Sequence, residues 1–188
     1  MLEGRLVTLR AIEPDDAERA HAWLNDPEVT YFLTDRYPPS QRDETWLAGA
    51  RANSFDGVRL AIETKDGAHI GGINLYRFQS GPEDRNAGLG IIIGEKAYWS
   101  KGYGADAIVV LLRFAFHEMN LHRVWLTVLE SHERGIACYR KCGFREEARL
   151  RQDVYRHGCH WDVIAMGILR DEFDALHDHG VADWEGGV

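Results

Sequence analysis

The chain opens on a strand signature, with Leu6, Thr8 and Arg10 interleaving with Val7 and Leu9. Pro14-Asp15-Asp16 then reads as a helix start, proline and acids in the first turn. That helix carries Ala17, Ala20, Trp23 and Leu24 inward and stops at Asn25-Asp26-Pro27. A proline-marked loop, Tyr37-Pro38-Pro39-Ser40, precedes a second helical piece through Asp43, Thr45, Trp46 and Leu47. Residues 58–63 and 70–78 read as strands joined by the turn signal Lys65-Asp66-Gly67. A loop through Ser80-Gly81-Pro82-Glu83-Asp84 leads to a third strand over 87–93. The spacing of Ile108, Leu111, Leu112, Ala115 and Met119 predicts a long helix over 104–119. A strand over 122–129 follows, then a helix over 133–141 that Gly143 stops in the left-handed conformation. Strands over 145–155 and 161–169 close the pattern.

The resulting order is a β meander, then helix, strand, helix and two strands. It predicts an α/β fold with a mixed sheet, not a regular βα alternation of the doubly wound type. The length of 188 residues fits one domain, placed at 1–173 with an acidic tail over 174–188. Beyond Arg170 the chain carries six acids and no lysine or arginine, a pattern for a short helix followed by frayed residues.

Composition narrows the function classes. The net charge of -8 argues against general nucleic-acid binding, which needs a basic footprint. The first residues lack a basic segment followed by an apolar one, and no apolar run reaches the roughly 20 residues of a membrane span. Three cysteines, Cys138, Cys142 and Cys159, form no paired framework and suit a reducing cytoplasm. The charge is unevenly placed: residues 1–66 carry net -5, residues 67–170 net +3 and residues 171–188 net -6.

The basic stretch contains the most chemical segment. Ile91, Ile92 and Ile93 end a strand, and Ser100-Lys101-Gly102-Tyr103-Gly104-Ala105 leads into the long helix. Glycines let backbone N–H groups approach an oxyanion, and a helix N-terminus adds about half a positive charge. A pyrophosphate suits such a place, although an ordinary glycine turn before a helix has the same letters. The phosphate-loop and dinucleotide patterns are both missing.

A second segment decides the matter. His132-Glu133-Arg134-Gly135-Ile136-Ala137-Cys138-Tyr139-Arg140-Lys141-Cys142-Gly143-Phe144, taken with the glycine segment, resembles the GNAT N-acetyltransferase family. Gly102 and Gly104 stand as the two small positions of that family's Q/R-x-x-G-x-G/A loop. Arg134, Gly135, Ile136, Tyr139, Lys141, Gly143 and Phe144 match its second motif. The opening residues 4–11 and the closing Trp161-Asp162-Val163 resemble the branch of ribosomal-protein N-terminal and polyamine acetyltransferases.

The resemblance implies a GNAT-like, mostly antiparallel sheet splayed at its centre with helices on both faces. It implies acetyl-CoA as co-substrate, without a metal, and a primary amine as acceptor, either a small molecule or a protein N-terminus. The sequence does not fix the oligomeric state, for which a homodimer is a fair prior. The pantetheine arm would lie along the backbone of Ile91, Ile92 and Ile93. The pyrophosphate would sit at Ser100, Lys101, Gly102, Tyr103, Gly104 and Ala105. Tyr139 would protonate the departing thiolate, a role a phenol of pKa about 10 can fill; packing on the helix face is the plain alternative.

Three positions depart from the usual family pattern, of which Trp99, where many relatives carry glutamine or arginine, is an aromatic common in this branch and carries no inference. His132 stands where an asparagine usually contacts the cofactor, and reads as a cofactor contact, a substituted base or a loop residue. Gly88 stands where the branch often carries a glutamate base. Glu83, Asp84, His69 or a water path are the substitutes, and an α-amine of pKa about 8 needs less help than a polyamine nearer 10. The departures at His132 and Gly88 also motivate a second class of function, an acyl-CoA-binding module without transfer. Trp23, Trp46, Tyr31 and Phe32 are candidates for the acceptor wall. His157-Gly158-Cys159-His160 and the Cys138/Cys142 pair lack a four-ligand metal pattern.

Overall fold

The computed structural model describes residues 1–33, 53, 57–76, 84–156 and 158–177. Its strands are β1 (Leu2–Glu3), β2 (Val7–Ala11), β3 (Gly57–Thr64), β4 (His69–Tyr76), β5 (Asn86–Ile93), β6 (Arg123–Leu129), β7 (Arg145–Arg156) and β8 (Cys159–Leu169). Its α-helices are α1 (Asp16–Leu24), α2 (Tyr103–Arg113), α3 (Glu133–Lys141) and α4 (Arg170–His177). The strands form one sheet in the order β1-β2-β3-β4-β5-β6-β8-β7. Every pairing is antiparallel except that of β5 with β6. The mixed, mostly antiparallel sheet expected from the sequence is therefore the one formed.

The parallel pairing is short. Strands β5 and β6 share only Asn86↔Arg123, Ala87↔Val124 and Gly88↔Trp125. Beyond Gly88, β5 stays with β4 as far as Gly71↔Ile93, while β6 follows β8 to Leu129↔Val163. The two halves of the sheet part at this point. From Leu89 onward the edge of β5 that faces β6 has no strand partner among the described residues.

One face of the sheet carries the core. Leu9, Ile62, Ile73, Leu75, Val124 and Leu126 pack there with Ile108, Leu111 and Leu112 of α2. Burying a side chain of this size contributes roughly 1.5–3 kcal/mol. Helix α2 is fixed to the chain start by Asp106, whose carboxylate accepts the backbone N–H groups of Arg5, Leu6 and Val7 (3.2, 2.7 and 3.0 Å). On the other face, Arg10 donates to Asp16 at the start of α1 (2.7 and 2.9 Å) and to Glu63 of β3 (2.6 Å).

The structure refines several expected boundaries. Helix α1 begins at Asp16, not Pro14, because Glu13 and Pro14 form a preceding turn that accepts the N–H groups of Asp16 and Ala17. The helix expected over 104–119 ends as α-helix at Arg113, and Phe114–Glu118 continue as a π turn. Met119 N–H bonds to the Phe114 carbonyl (3.0 Å), five residues back. That wider turn buries Ala115 and Phe116 together, which the four-residue period did not anticipate. Strand β1 is two residues long, too short to read from alternation. Helix α4 runs past position 173 to His177 and buries Phe173 against Phe116 (ring centroids 5.4 Å). The helix expected near Asp43 to Leu47, the loop at 80–83 and positions 77–78 lie outside the described residues. No helix among the described residues is long and apolar enough to cross a membrane.

Candidate active site at the strand splay

The parted strands open a cavity of about 500 Å³. Residues Leu89 to Ile93 of β5 form one wall, and Thr127 and Val128 of β6 face them. Gly102, Gly104 and Ala105 bring the start of α2 to it, and α3 contributes His132, Arg134, Cys138 and Tyr139. The opposite side is closed by Glu28, Val29, Phe32 and Leu33, which follow α1.

The α2 end is built for an anion. Gly102 precedes the helix at φ +92°, a left-handed conformation that favours glycine, and Ser100 beside it has φ +59°. No side chain caps the helix, so the first-turn N–H groups of Tyr103, Gly104 and Ala105 lack intrahelical partners. The one acid in that turn, Asp106, is turned away to the N-terminal chain. Lys101 is exposed, and the Arg134 guanidinium lies 4.2 Å from the centre of the Trp99 ring. The residues present therefore fit a phosphate-bearing ligand. The Tyr103 ring turns from the cavity to pack edge-on against Tyr98 (5.0 Å), leaving its backbone at the helix end.

Ile91, Ile92 and Ile93 are half-buried and line the cavity. In addition to the ladder with β4, the Ile93 carbonyl accepts the Trp99 indole N–H at 2.7 Å. Trp99 also packs beside Ala20, Trp23 and Val29. It thus ties the glycine loop, the end of β5 and Arg134 together.

Tyr139 enters from α3, its partly buried ring edge-on to Phe144 (6.1 Å). Burial drives its pKa well above the usual phenol value, helped by Cys138, Cys142 and Tyr76, so the phenol stays protonated at neutral pH. Cys142, one helical turn after Cys138, is buried and its thiol donates to the Ala105 carbonyl (3.7 Å). Across the cavity, the last residue of β4 is Tyr76, whose ring covers Gly88 so closely that a Cβ there would lie 2.3 Å from it. Burial raises the Tyr76 pKa as well.

His132 stacks on Phe32, centroids 3.9 Å apart and planes at 20°. Burial, and then the charge of Arg134, lower its pKa to about 4, so the imidazole is neutral at pH 7. It joins α3 to the segment after α1. That segment is held from below by Arg156, which is 3% exposed and donates to the carbonyls of Tyr31 (2.7 Å) and Leu33.

Of the substitutes weighed for a missing carboxylate, His69 is away from the cavity. Its ring lies between Asp16 (3.0 Å) and the Gly71 carbonyl (2.9 Å), with Trp23 edge-on to it. Asp84 is exposed outside the cavity, and Glu83 lies outside the described residues. Of the aromatic residues weighed for the acceptor wall, Phe32 lines the cavity and Trp23 is core; Trp46 lies outside the described residues. Sequence reasoning passed over Trp99 and Tyr76 as site residues. An aromatic opposite a strand glycine was the only signal for Tyr76. Among the described residues no group of three His, Cys, Asp or Glu side chains could hold a metal ion.

Comparison with known proteins points the same way. A spermidine N(1)-acetyltransferase of Vibrio cholerae is 27% identical over 168 residues, 89% of this chain and 95% of its own. A provisionally named ribosomal N-acetyltransferase of Bacillus subtilis is 29% identical over 175 residues, 89% and 93% of the two chains. The crystal structure of spermidine N-acetyltransferase from Vibrio cholerae with CoA and spermine superposes at a TM-score of 0.79 and 26% identity. That match covers 89% of this chain and 98% of the other. Residues 6–145 match the model of the acetyltransferase (GNAT) domain, and the chain belongs to the GNAT acetyltransferase family.

Proposed function

We propose that this enzyme moves the acetyl group of acetyl-CoA directly to a primary amine, a small molecule or a protein N-terminus. The observation that carries this reading is the cavity at the splay. It joins an uncapped helix N-terminus to an unpaired strand edge, with a protonated tyrosine between them. The CoA pyrophosphate would meet the backbone N–H groups of α2, with Lys101 and Arg134 nearby. Its amide arm would lie along Leu89 to Ile93, pairing with backbone that no strand uses.

The co-substrate supplies an activated acyl carbon bonded to a good leaving group. The amine lone pair forms the new N–C bond as the C–S bond breaks. Tyr139 gives its proton to the sulfur, and the proton shed by nitrogen passes to water. Gly88 offers no side chain to collect it, so an amine already neutral at working pH reacts most readily. The relatives named as spermidine and ribosomal N-acetyltransferases are both named for transfer to nitrogen, and spermidine carries primary amines, which supports the acceptor class. The three cysteines are free thiols, which suits the cytoplasm.

The test is to incubate the protein with acetyl-CoA and a panel of amines and follow free thiol. Amine-dependent release supports the reading. Tight acetyl-CoA binding with no release for any amine would replace it with the acyl-CoA-binding module. With an active acceptor, Tyr139→Phe should lower kcat about a hundredfold or more while leaving acetyl-CoA affinity within twofold.

A further inference from the structure

The apex of the splay is marked by three residues in a row across three strands. Tyr76 of β4 pairs with Gly88 of β5, and Gly88 pairs with Trp125 of β6. This is the last pairing before β5 and β6 part. Because Gly88 lacks a side chain, the Tyr76 ring settles onto its backbone; a Cβ would be 2.3, 2.6 and 3.0 Å from three ring carbons. Trp125 meets the same ring edge-on, with centroids 5.8 Å apart at 84°. A ring held below by backbone and at its side by indole has its position fixed by packing.

That ring faces the cavity that Tyr139 lines from α3. The two phenols are near enough for the charge of one to disfavour ionisation of the other, and burial keeps Tyr76 protonated. A neutral phenol has an O–H donor and two acceptor lone pairs. Tyr139 comes from the helix that follows β6. Tyr76 comes from the opposite half of the sheet, at the point where β5 and β6 part and the cavity opens. Glu28 is the only carboxylate lining the cavity among the described residues, and it pairs with Lys96 (2.8 Å).

We infer that Tyr76 is the acceptor-contacting phenol, its hydroxyl oxygen accepting an N–H of the incoming amine and so turning the nitrogen lone pair toward the acetyl carbon. The assignment rests on the transfer reaction proposed above. Tyr76 takes no proton. The nitrogen forms its bond to the acetyl carbon, the C–S bond breaks, sulfur receives its proton from Tyr139, and the nitrogen's proton leaves to water. Orientation of this kind acts on the acceptor and not on the cofactor, so it separates from CoA binding. Gly88 is then a functional glycine: any side chain there displaces the ring.

The test compares Tyr76→Phe with the wild-type enzyme. Phenylalanine keeps the ring on Gly88 and beside Trp125 and removes one oxygen. The expected result is a fall of at least tenfold in kcat/KM for the amine, mostly in kcat, with acetyl-CoA affinity within twofold and an unchanged melting temperature. Gly88→Ala provides the second arm and should impair kcat in the same way, with CoA affinity retained. Wild-type-like kcat/KM in Tyr76→Phe overturns the inference alone. A loss tracked equally by CoA affinity or melting temperature also overturns it, because the ring would then be structural. If the wild-type protein transfers acetyl to no amine, the inference and the transfer reading fall together.

Discussion

The imidazole of His132 lies flat against Phe32 at 3.9 Å and leaves no room for a side chain on Gly135, where a Cβ would come within 2.3 Å of the ring. The two positions are thus coupled. A glycine inside a helix costs about 1 kcal/mol against alanine, yet here alanine would push the imidazole off Phe32. Gly135→Ala alone should lower the melting temperature and weaken acceptor binding. In a His132→Asn background the same change should become neutral or stabilising. A double-mutant cycle by thermal melting checks this; additive effects would show that the stack does not depend on Gly135.

The same histidine makes stability pH-dependent. Its folded pKa is about 4, against about 6.5 unfolded. Between those values the unfolded chain binds more protons, so stability is full above pH 6.5 and is lost as pH falls toward 4. The loss attributable to His132 is at most about 3 kcal/mol. Urea unfolding at a series of pH values should show a shallower decline in His132→Asn than in wild type. Parallel curves would mean that His132 does not contribute.

Gly102 tests the anion end. At φ +92° a β-branched residue is strained by a kcal/mol or more, and its Cβ would meet the Leu6 side chain at 3.5 Å, so the backbone that presents the first-turn N–H groups would shift. Gly102→Val should weaken acetyl-CoA binding at least tenfold by calorimetry, with a modest drop in melting temperature. Unaltered affinity would remove the pyrophosphate from this site.

What the sequence revealed and what it hid divide by distance along the chain. The strand–loop–helix around Gly102 and the helix stop at Gly143 are local, each set by a left-handed backbone only glycine adopts easily, and both were legible. Tyr139 stood out through a motif contiguous in sequence, and the structure places it on α3 beside the cavity. The succession of strands and helices along the chain followed from alternation and turn signals, whereas their order in the sheet did not. The rest depends on side chains remote in sequence. Nothing near His132 announces that Phe32, 100 residues earlier, will cover it. His69 looked available as a base because Asp16 and Trp23, which enclose it, sit on another element. The π turn at Phe114–Glu118 reflects a choice of which apolar residues to bury, made by the facing sheet and α4, so local helical periodicity ran through it unbroken.

Arg156 gives a prediction of the distant kind. Its buried guanidinium holds the carbonyls of Tyr31 and Leu33 and thereby the wall that presents Phe32. Arg156→Met keeps the volume and removes the donors, so the carbonyls of exposed Tyr31 and half-buried Leu33 lose their protein partner, about 1 kcal/mol for each hydrogen bond. Acceptor KM should rise several-fold, with a smaller effect on acetyl-CoA affinity. Steady-state kinetics with each substrate varied in turn distinguishes the two; an equal loss on both would place Arg156 in the general scaffold.

The early parting of β5 from β6 has a mechanical consequence. Folding normally consumes the pairing capacity of an interior strand, but here, among the described residues, the stretch from Leu89 to Ile93 keeps along one edge the backbone groups that do not face β4, apart from the Ile93 carbonyl taken by Trp99. An extended amide chain docked there, as proposed for the cofactor arm, would act as a removable rung between two half-sheets that otherwise pair at three residues of each strand. Occupancy and stiffness then rise together, and a ligand at a hundred times its Kd would brace the fold by about 2.7 kcal/mol. Release of the product after turnover would return the hinge between the halves to its looser state.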